Sequence, residues 1–311
     1  MSDDSKTDKK PKASTDSPRV WRYVSEDMSF RVSAVNSTEV VEKMRQIQHT
    51  SPIATMALGR AMTGAMLMAS QLKEGQQISL DFKGSGPLQR VFAHGTFEGA
   101  IRGYVSQPQI EFDDTVPFSV GPYMGEGFLT VSSFKPQSKI PYRGTFDLVS
   151  GEIAEDIAYY YQQSHQIPTL ISIGVHLSEY GMVDGAGGVL IQLMPGTPNE
   201  IINHFENAAK EVSDLSEKLA DGIEPHELAK LFTKSLKIRE LPHPHPSEYS
   251  CPCTKERLMR SMNLLGLEEI ERSISEGESI DSQCQMCGEK YTVSIEDLEQ
   301  LRDDLKKKSY H

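Results

Sequence analysis

The first 250 residues of the chain contain no cysteine. A secreted domain held together by disulfides spreads its cysteines through its core, so that class is excluded for most of the molecule. Aromatic residues are scarce, at 7% of 311 positions with one tryptophan, and the core must therefore rest on aliphatic and methionine side chains. Nowhere does the sequence reach the eighteen or so uninterrupted apolar residues that span a membrane. The first twenty residues mix Asp3, Asp4, Lys6, Asp8, Lys9, Lys10 and Lys12 with Ser, Thr and Pro, and they offer no apolar run for a signal-peptide core. Residues 1–18 are expected to be a disordered tail, and the protein is expected to be cytoplasmic, without a membrane partner. Positive charge is also short: 32 Lys and Arg against 44 Asp and Glu leave a formal charge of -12. From Glu248 onward the count is nine against fourteen, which provides no extended basic face for phosphates and argues against nucleic acid as a partner. Neither a Gly-x-Ser-x-Gly elbow nor a His-Glu-x-x-His helix occurs, so the common hydrolase motifs are missing.

What is present begins with a change of period along the chain. Trp21 to Val35 reads as a strand or hairpin, and Asn36-Ser37-Thr38 offers caps for a helix with Val40, Val41, Met44 and Ile47 on one face. Ser51-Pro52 opens a longer helix that runs to Leu72 before a stop at Gly75. Its Met56, Met62, Met66 and Met68 are read as core filler. Ile78, Leu80 and Phe82 then alternate with polar residues, and Gly84-Ser85-Gly86-Pro87 turns the chain into a second strand. That glycine pair lacks the helix and the Lys-Ser/Thr ending of a phosphate loop. Further strands are expected at 128–134, 144–149, 169–177 and 188–193, with a helix at about 151–164. Antiparallel strands interrupted by helices, without regular βαβ alternation, predict an α+β fold over residues 19–195.

Residues 196–246 change texture. Ile201, Phe205, Ala208, Val212, Leu215 and Leu219 recur at steps of three and four and predict one amphipathic helix. A shorter helix opened by Glu224-Pro225 carries Leu228, Leu231 and Phe232. The pair has too little core to stand alone, so this linker must borrow stability by docking, with the C-terminal unit expected as its anchor. Pro242-His243-Pro244-His245-Pro246 is expected to be a stiff, extended, solvated connection.

The chain's four cysteines lie in residues 247–311, as Cys251-Pro252-Cys253 and Cys284-Gln285-Met286-Cys287, with thirty residues between the pairs. Paired short spacings let four sulfurs converge on one tetrahedral Zn²⁺, and an all-sulfur shell leaves no position for a catalytic water. One structural zinc per chain is therefore expected on Cys251, Cys253, Cys284 and Cys287. His243 and His245 are passed over as ligands because four thiolates already satisfy the ion. The apolar set of the C-terminal unit, including Leu258, Met262, Leu264, Leu265, Ile270, Ile274, Tyr291, Ile295 and Leu298, is small, and units of this size are marginal without a staple. A structural zinc contributes roughly 10 to 16 kcal/mol in small zinc domains, so folding here should depend on the metal. Metal-binding thiolates are also the forms that oxidants attack, which makes the site a redox-sensitive switch. The competing reading is a thiol-disulfide oxidoreductase, since Cys284-x-x-Cys287 has that spacing, although such a motif usually opens a helix in a βαβ unit and acts alone.

Beyond the cysteines, the sequence resembles the redox-regulated thirty-three-kilodalton heat-shock chaperones over nearly everything after the N-terminal tail. The resemblance is carried by His49-Thr-Ser-Pro-Ile-Ala, Ala57-Leu-Gly-Arg60, Gly84-Ser-Gly-Pro-Leu88, Arg102-Gly-Tyr104, Ser150-Gly-Glu-Ile-Ala-Glu-Asp156 and Ala186-Gly-Gly188. It continues in Cys251-x-Cys253-Thr-Lys-Glu-Arg257 and Cys284-x-x-Cys287. It implies an N-terminal α+β domain, a helical linker wrapped over it and a C-terminal zinc domain. It also implies an ATP-independent holdase for unfolded or oxidatively damaged proteins, inactive when reduced and zinc-bound. Activation would come from disulfide formation, zinc loss, linker unfolding and assembly into a homodimer. Carried over residue by residue, the resemblance pairs Cys284 with Cys287 in one disulfide and Cys251 with Cys253 in the other, and it implies no catalytic residue.

Overall fold

The protein is described by a computed structural model covering residues 18–138, 140–262 and 265–309. The expected tail, apart from Pro18, lies outside the described residues, as does Leu264. The first half of the chain forms β1 (Arg19–Ser25), β2 (Phe30–Asn36), α1 (Thr38–Gln48), α2 (Pro52–Ala69), β3 (Gln77–Gly84), β4 (Arg90–Thr96) and β5 (Ala100–Val105). There follow α3 (Gly121–Met124), β6 (Gly127–Phe134), β7 (Tyr142–Asp147), α4 (Ala154–Tyr160) with a π-helical turn over Tyr161–His165, β8 (Thr169–Leu177) and β9 (Val183–Leu193). The next stretch holds α5 (Asn199–Glu211), α6 (Leu215–Ala220), α7 (Pro225–Thr233), β10 (Ile238–Glu240), β11 (His245–Pro246) and β12 (Glu248–Tyr249). The C-terminal part consists of α8 (Lys255–Met262), α9 (Leu267–Glu276), β13 (Ile280–Gln283), β14 (Lys290–Val293) and α10 (Ile295–Ser309).

The fold is α+β, built on two large sheets with α2 between them. One sheet runs β10-β1-β2-β9-β8, with β11 also paired to β1, and the other runs β12-β5-β4-β3-β6-β7. Every pairing is antiparallel except that of β12 with β5. A helix that is apolar all round belongs inside, and α2 is buried from Ile53 to Ala69 except at Arg60. Its methionines Met56, Met62, Met66 and Met68 join one core with Leu80, Phe82, Val91 and Ile101 from one sheet and Val175 and Leu190 from the other. They are filler between two sheets, as the sequence predicts.

The outer face of the first sheet is covered by α5, α6 and α7. Phe205, Ala208, Leu215, Leu219, Leu228 and Phe232 pack there against Tyr23, Phe30, Val32, Val189 and Ile191. The amphipathic stripe was expected in one helix, but the chain breaks between Glu211 and Leu215. The break lets the second half of the stripe settle onto a glycine-rich stretch of β9, a strand that begins at Val183 rather than Gly188. A Cβ on Gly185 would stand 2.3 Å from the backbone nitrogen of Ala220, so the close approach of α6 requires glycine there. The expected anchor is corrected as well: these helices dock on the first sheet, and they reach the cysteine unit through β10, β11 and β12.

The proline-rich connection is not a solvated spacer. His245 pairs with Val20 of β1, is 5% exposed and sets its ring edge-on to Phe97 at 5.8 Å. Proline cannot donate to a sheet ladder but is tolerated on an edge strand, which is why an alternating His-Pro run can still be captured there.

Overpacking a tight contact costs about 1–3 kcal/mol. Gly185→Val is therefore expected to speed hydrogen exchange in α6 by about tenfold or more while α2 keeps its protection. Unchanged exchange in α6 would refute the close-approach argument.

Candidate metal centre

Two separate loops bring the four cysteines together. Cys284 and Cys287 sit in the turn of the β13–β14 hairpin, where the Cys284 N–H donates to the Glu289 carbonyl at 2.9 Å and the Gly288 N–H to the Cys284 carbonyl at 2.8 Å. Gly288 takes a positive φ of 72°, which closes the turn without strain. Cys251 and Cys253 lie on the extended segment after β12. That segment is fixed upstream by N–H donation from Glu248 to the Gly99 carbonyl at 2.9 Å and from Ser250 to the Ile101 carbonyl at 3.0 Å. Downstream, Arg257 Nη1 donates to the Pro252 carbonyl at 2.7 Å, and Lys255 pairs with Asp297 at 2.5 Å.

The four Sγ atoms all lie within 4.8 Å of one another. Two of the contacts run across the motifs: Cys251 Sγ is 3.8 Å from Cys284 Sγ, and Cys253 Sγ is 3.1 Å from Cys287 Sγ. All four are half-buried free thiols. Among the described residues they form the one cluster of three or more metal-ligating side chains, and neither His243 nor His245 belongs to it.

Burial pushes the Cys251 and Cys287 thiols up. Burial raises Cys253 as well, but hydrogen bonds from Tyr291 and the neighbouring thiols outweigh it and the net shift is downward. Crowded sulfurs cannot all shed their protons unaided, because each new thiolate repels the last. A divalent cation removes that obstacle, and four soft sulfur donors at this separation fit the tetrahedral shell of zinc.

Three neighbours of the cluster escaped sequence reasoning. Tyr291, expected as an apolar core residue, directs its hydroxyl toward Cys253, 3.0 Å from the carbonyl oxygen and 3.2 Å from Sγ. Tyr249 donates its hydroxyl to the Met286 carbonyl, and burial pushes that hydroxyl's pKa up to about 12. Gln48, at the end of α1, donates to the same carbonyl at 3.2 Å. No sequence signal marks an isolated polar side chain that serves a backbone oxygen two hundred residues away. Beneath the cysteines Met262, Ile270, Val293, Leu298 and Leu301 form a small separate core. Leu265, expected in that core, is 50% exposed.

The family model described as Hsp33 protein matches residues 19–294. The chain is 34% identical over 289 residues to the 33 kDa chaperonin of Desulforamulus reducens, covering 92% of this chain and 98% of the relative. It is 38% identical over 271 residues to the 33 kDa chaperonin of Thermodesulfovibrio yellowstonii, covering 87% and 93%. Among solved structures, the 33 kDa chaperonin (heat shock protein 33 homolog) of Thermotoga maritima superposes with a TM-score of 0.81 at 33% identity, covering 94% of this chain and 99% of that one.

Groups that hydrogen-bond a metal ligand typically change metal affinity 10- to 100-fold when removed. Tyr291→Phe is expected to weaken zinc retention in the reduced protein about tenfold in competition with a chelator. An affinity equal to the parent's would show that the tyrosine hydroxyl does not support the cluster.

Proposed function

The chain belongs to the Hsp33 family, a family of chaperones and not of enzymes, and from that premise we propose that it is a redox-regulated, ATP-independent holdase. The observation that carries the reading is the convergence of four thiols in a unit whose buried apolar core comprises five of the described residues. In the reduced state Cys251, Cys253, Cys284 and Cys287 would hold one Zn²⁺. When bound, the ion supplies the charge that keeps four thiolates together and the cross-link that a small core lacks.

Peroxide would convert the cysteines into two disulfides, Cys284 with Cys287 and Cys251 with Cys253. In each, two thiolates lose two electrons to form the S–S bond, the peroxide O–O bond breaks, and two protons from solvent complete two waters. Each disulfide would consume two of the four thiolates that would hold the ion, and the unit would lose its staple. The disturbance then reaches β12, which is continuous with Cys251, and through β11 and β10 the base of α7. Release of α5–α7 would uncover Phe205, Leu219 and Phe232 together with Tyr23, Phe30 and Ile191 beneath them. Such a surface can hold unfolded or oxidatively damaged proteins. It would also support a homodimer in the oxidised state, and the cytoplasm, reducing until an oxidant arrives, suits a thiol switch. The described residues contain no helix long and apolar enough to cross a membrane.

Zinc content and aggregation suppression measured on one sample, before and after peroxide at elevated temperature, test the reading. One zinc per chain and no suppression are expected before oxidation, with zinc release and suppression after it. Protein without zinc when purified reduced, or without suppression when oxidised, would overturn the proposal. Turnover in an insulin-reduction assay would favour a thiol-disulfide oxidoreductase instead.

Linker release can be tested separately. Phe205 is buried against Phe30 with ring centroids 4.9 Å apart, and a carboxylate there has no buried partner. Phe205→Asp is expected to make the reduced, zinc-loaded protein partly active in suppressing aggregation. If the variant has an undocked linker and yet behaves like the reduced parent, release alone does not activate.

A further inference from the structure

The turn between Cys284 and Cys287 is held by α1 and by β12, which lies on the edge of the second sheet. Met286 stands between the two cysteines, and its carbonyl oxygen accepts hydrogen bonds from Tyr249 Oη and from Gln48 Nε2. Gln48 is itself fixed, since the same nitrogen donates to the Gly103 carbonyl of β5 at 2.6 Å and lies 3.4 Å from Tyr249 Oη. Tyr249 is 7% exposed and belongs to β12, paired in parallel with Ala100 and Ile101 of β5. Lys43 of α1 adds a contact to the Tyr249 carbonyl at 3.5 Å. Cys287 packs against the main core, and an added Cβ on Gly288 would rest 3.5 Å from Ile47 Cγ2, ordinary contact distance.

The direction of the sulfur contacts gives this arrangement its consequence. Cys284 and Cys287 face the cysteines of the other motif, at 3.8 and 3.1 Å. To bond to each other, the two sulfurs must close from within 4.8 Å to a bond of about 2 Å and give up those contacts. Closing a disulfide across a four-residue turn draws on rotation of the two side chains and on the set of the peptides that carry them, and the Met286 carbonyl belongs to one of those peptides.

We infer that Gln48 and Tyr249 are positioning residues that clamp the Cys284–Cys287 turn onto α1 and β5 through the Met286 carbonyl, so that closing that disulfide and undocking the cysteine unit are one coupled event. The inference rests on the redox reading proposed above and names the residues that set its threshold. The oxidation is the peroxide reaction already balanced there. The clamp supplies no chemistry; it holds the backbone of the turn in the conformation in which its two sulfurs meet those of the other motif.

The test uses the full chain, reduced and zinc-loaded, as the parent, Gln48→Ala, Tyr249→Phe and the double variant. Without oxidant, hydrogen exchange at Cys284–Gly288 and at Tyr249–Cys251 is expected to quicken about fivefold in each single variant, the effect of losing one hydrogen bond. With peroxide, the rate of zinc release is expected to rise by a similar factor. Because both donors serve one oxygen, the double variant should fall short of the product of the two single effects. Exchange in α2 reports on general destabilisation and should stay at the parent's value. Parent-like exchange at Cys284–Gly288 overturns the clamp. So does quickening in α2 equal to that at the turn, or a fully multiplicative double variant, because each would make the residues merely structural. Exchange in untreated protein reads the clamp without reference to chaperoning. A failure of the redox reading, seen as no suppression by the oxidised parent, would therefore be told apart from a failure of the clamp.

Discussion

Four sulfur atoms within 4.8 Å of one another impose the constraint on which the rest of the molecule depends. As thiols they make a poor core, and as thiolates they repel. Only a shared cation lets them be anionic and close together. Five buried apolar residues among those described in the unit around them form a core separate from the one around α2. Under the redox reading proposed above, the order of the unit would be tied to the charge state of its sulfurs, which an oxidant alters.

The path from that cluster to the rest of the chain is short and physical. β12 adds to the edge of one sheet beside β5, while β11 and β10 add to the edge of the other beside β1. One connecting segment thus stitches both sheets to the cysteine loops. These are short edge strands of two or three residues, with few ladder hydrogen bonds to lose. Segments of this kind sit at the low end of local stability. By contrast α5–α7 bury phenylalanines and leucines over the first sheet, so their release costs far more than release of the strands. In the proposed switch, a disturbance at the cysteines would meet a weak joint first and a strong one second, and undocking of the helices would need more than slack in the connection.

Legibility in the sequence followed the kind of signal each feature carries. The α+β class, the buried methionines of α2 and the four cysteines were readable because period and spacing are local properties of the chain. The single helix expected from Ile201 to Leu219 failed for an instructive reason: the stripe is continuous in sequence, but it serves two helices on a surface whose glycines call for a second seating. The His-Pro run reads as solvated because proline disfavours a strand, yet an open edge beside Val20 captured it. Gln48, Tyr249 and Tyr291 were silent because their partners are a distant backbone oxygen and a sulfur, and neither leaves a pattern in neighbouring residues. Tertiary contacts decide such roles, and a single sequence does not carry them.

Linkage gives the final constraint. If docking of the cysteine unit favours the metal-bound turn, then metal binding favours docking by the same free energy, whatever route joins them. The threshold of such a switch cannot reside in the four sulfurs alone. It must include the hydrogen bonds at Met286, the pairing of β12 with β5 and the seating of Cys287 against the main core. Two chains with identical cysteine motifs will consequently differ in sensitivity wherever these outer contacts differ. In the proposed switch, the chemistry of the cluster would determine what the oxidant does, and the packing around it would determine how much oxidant is needed.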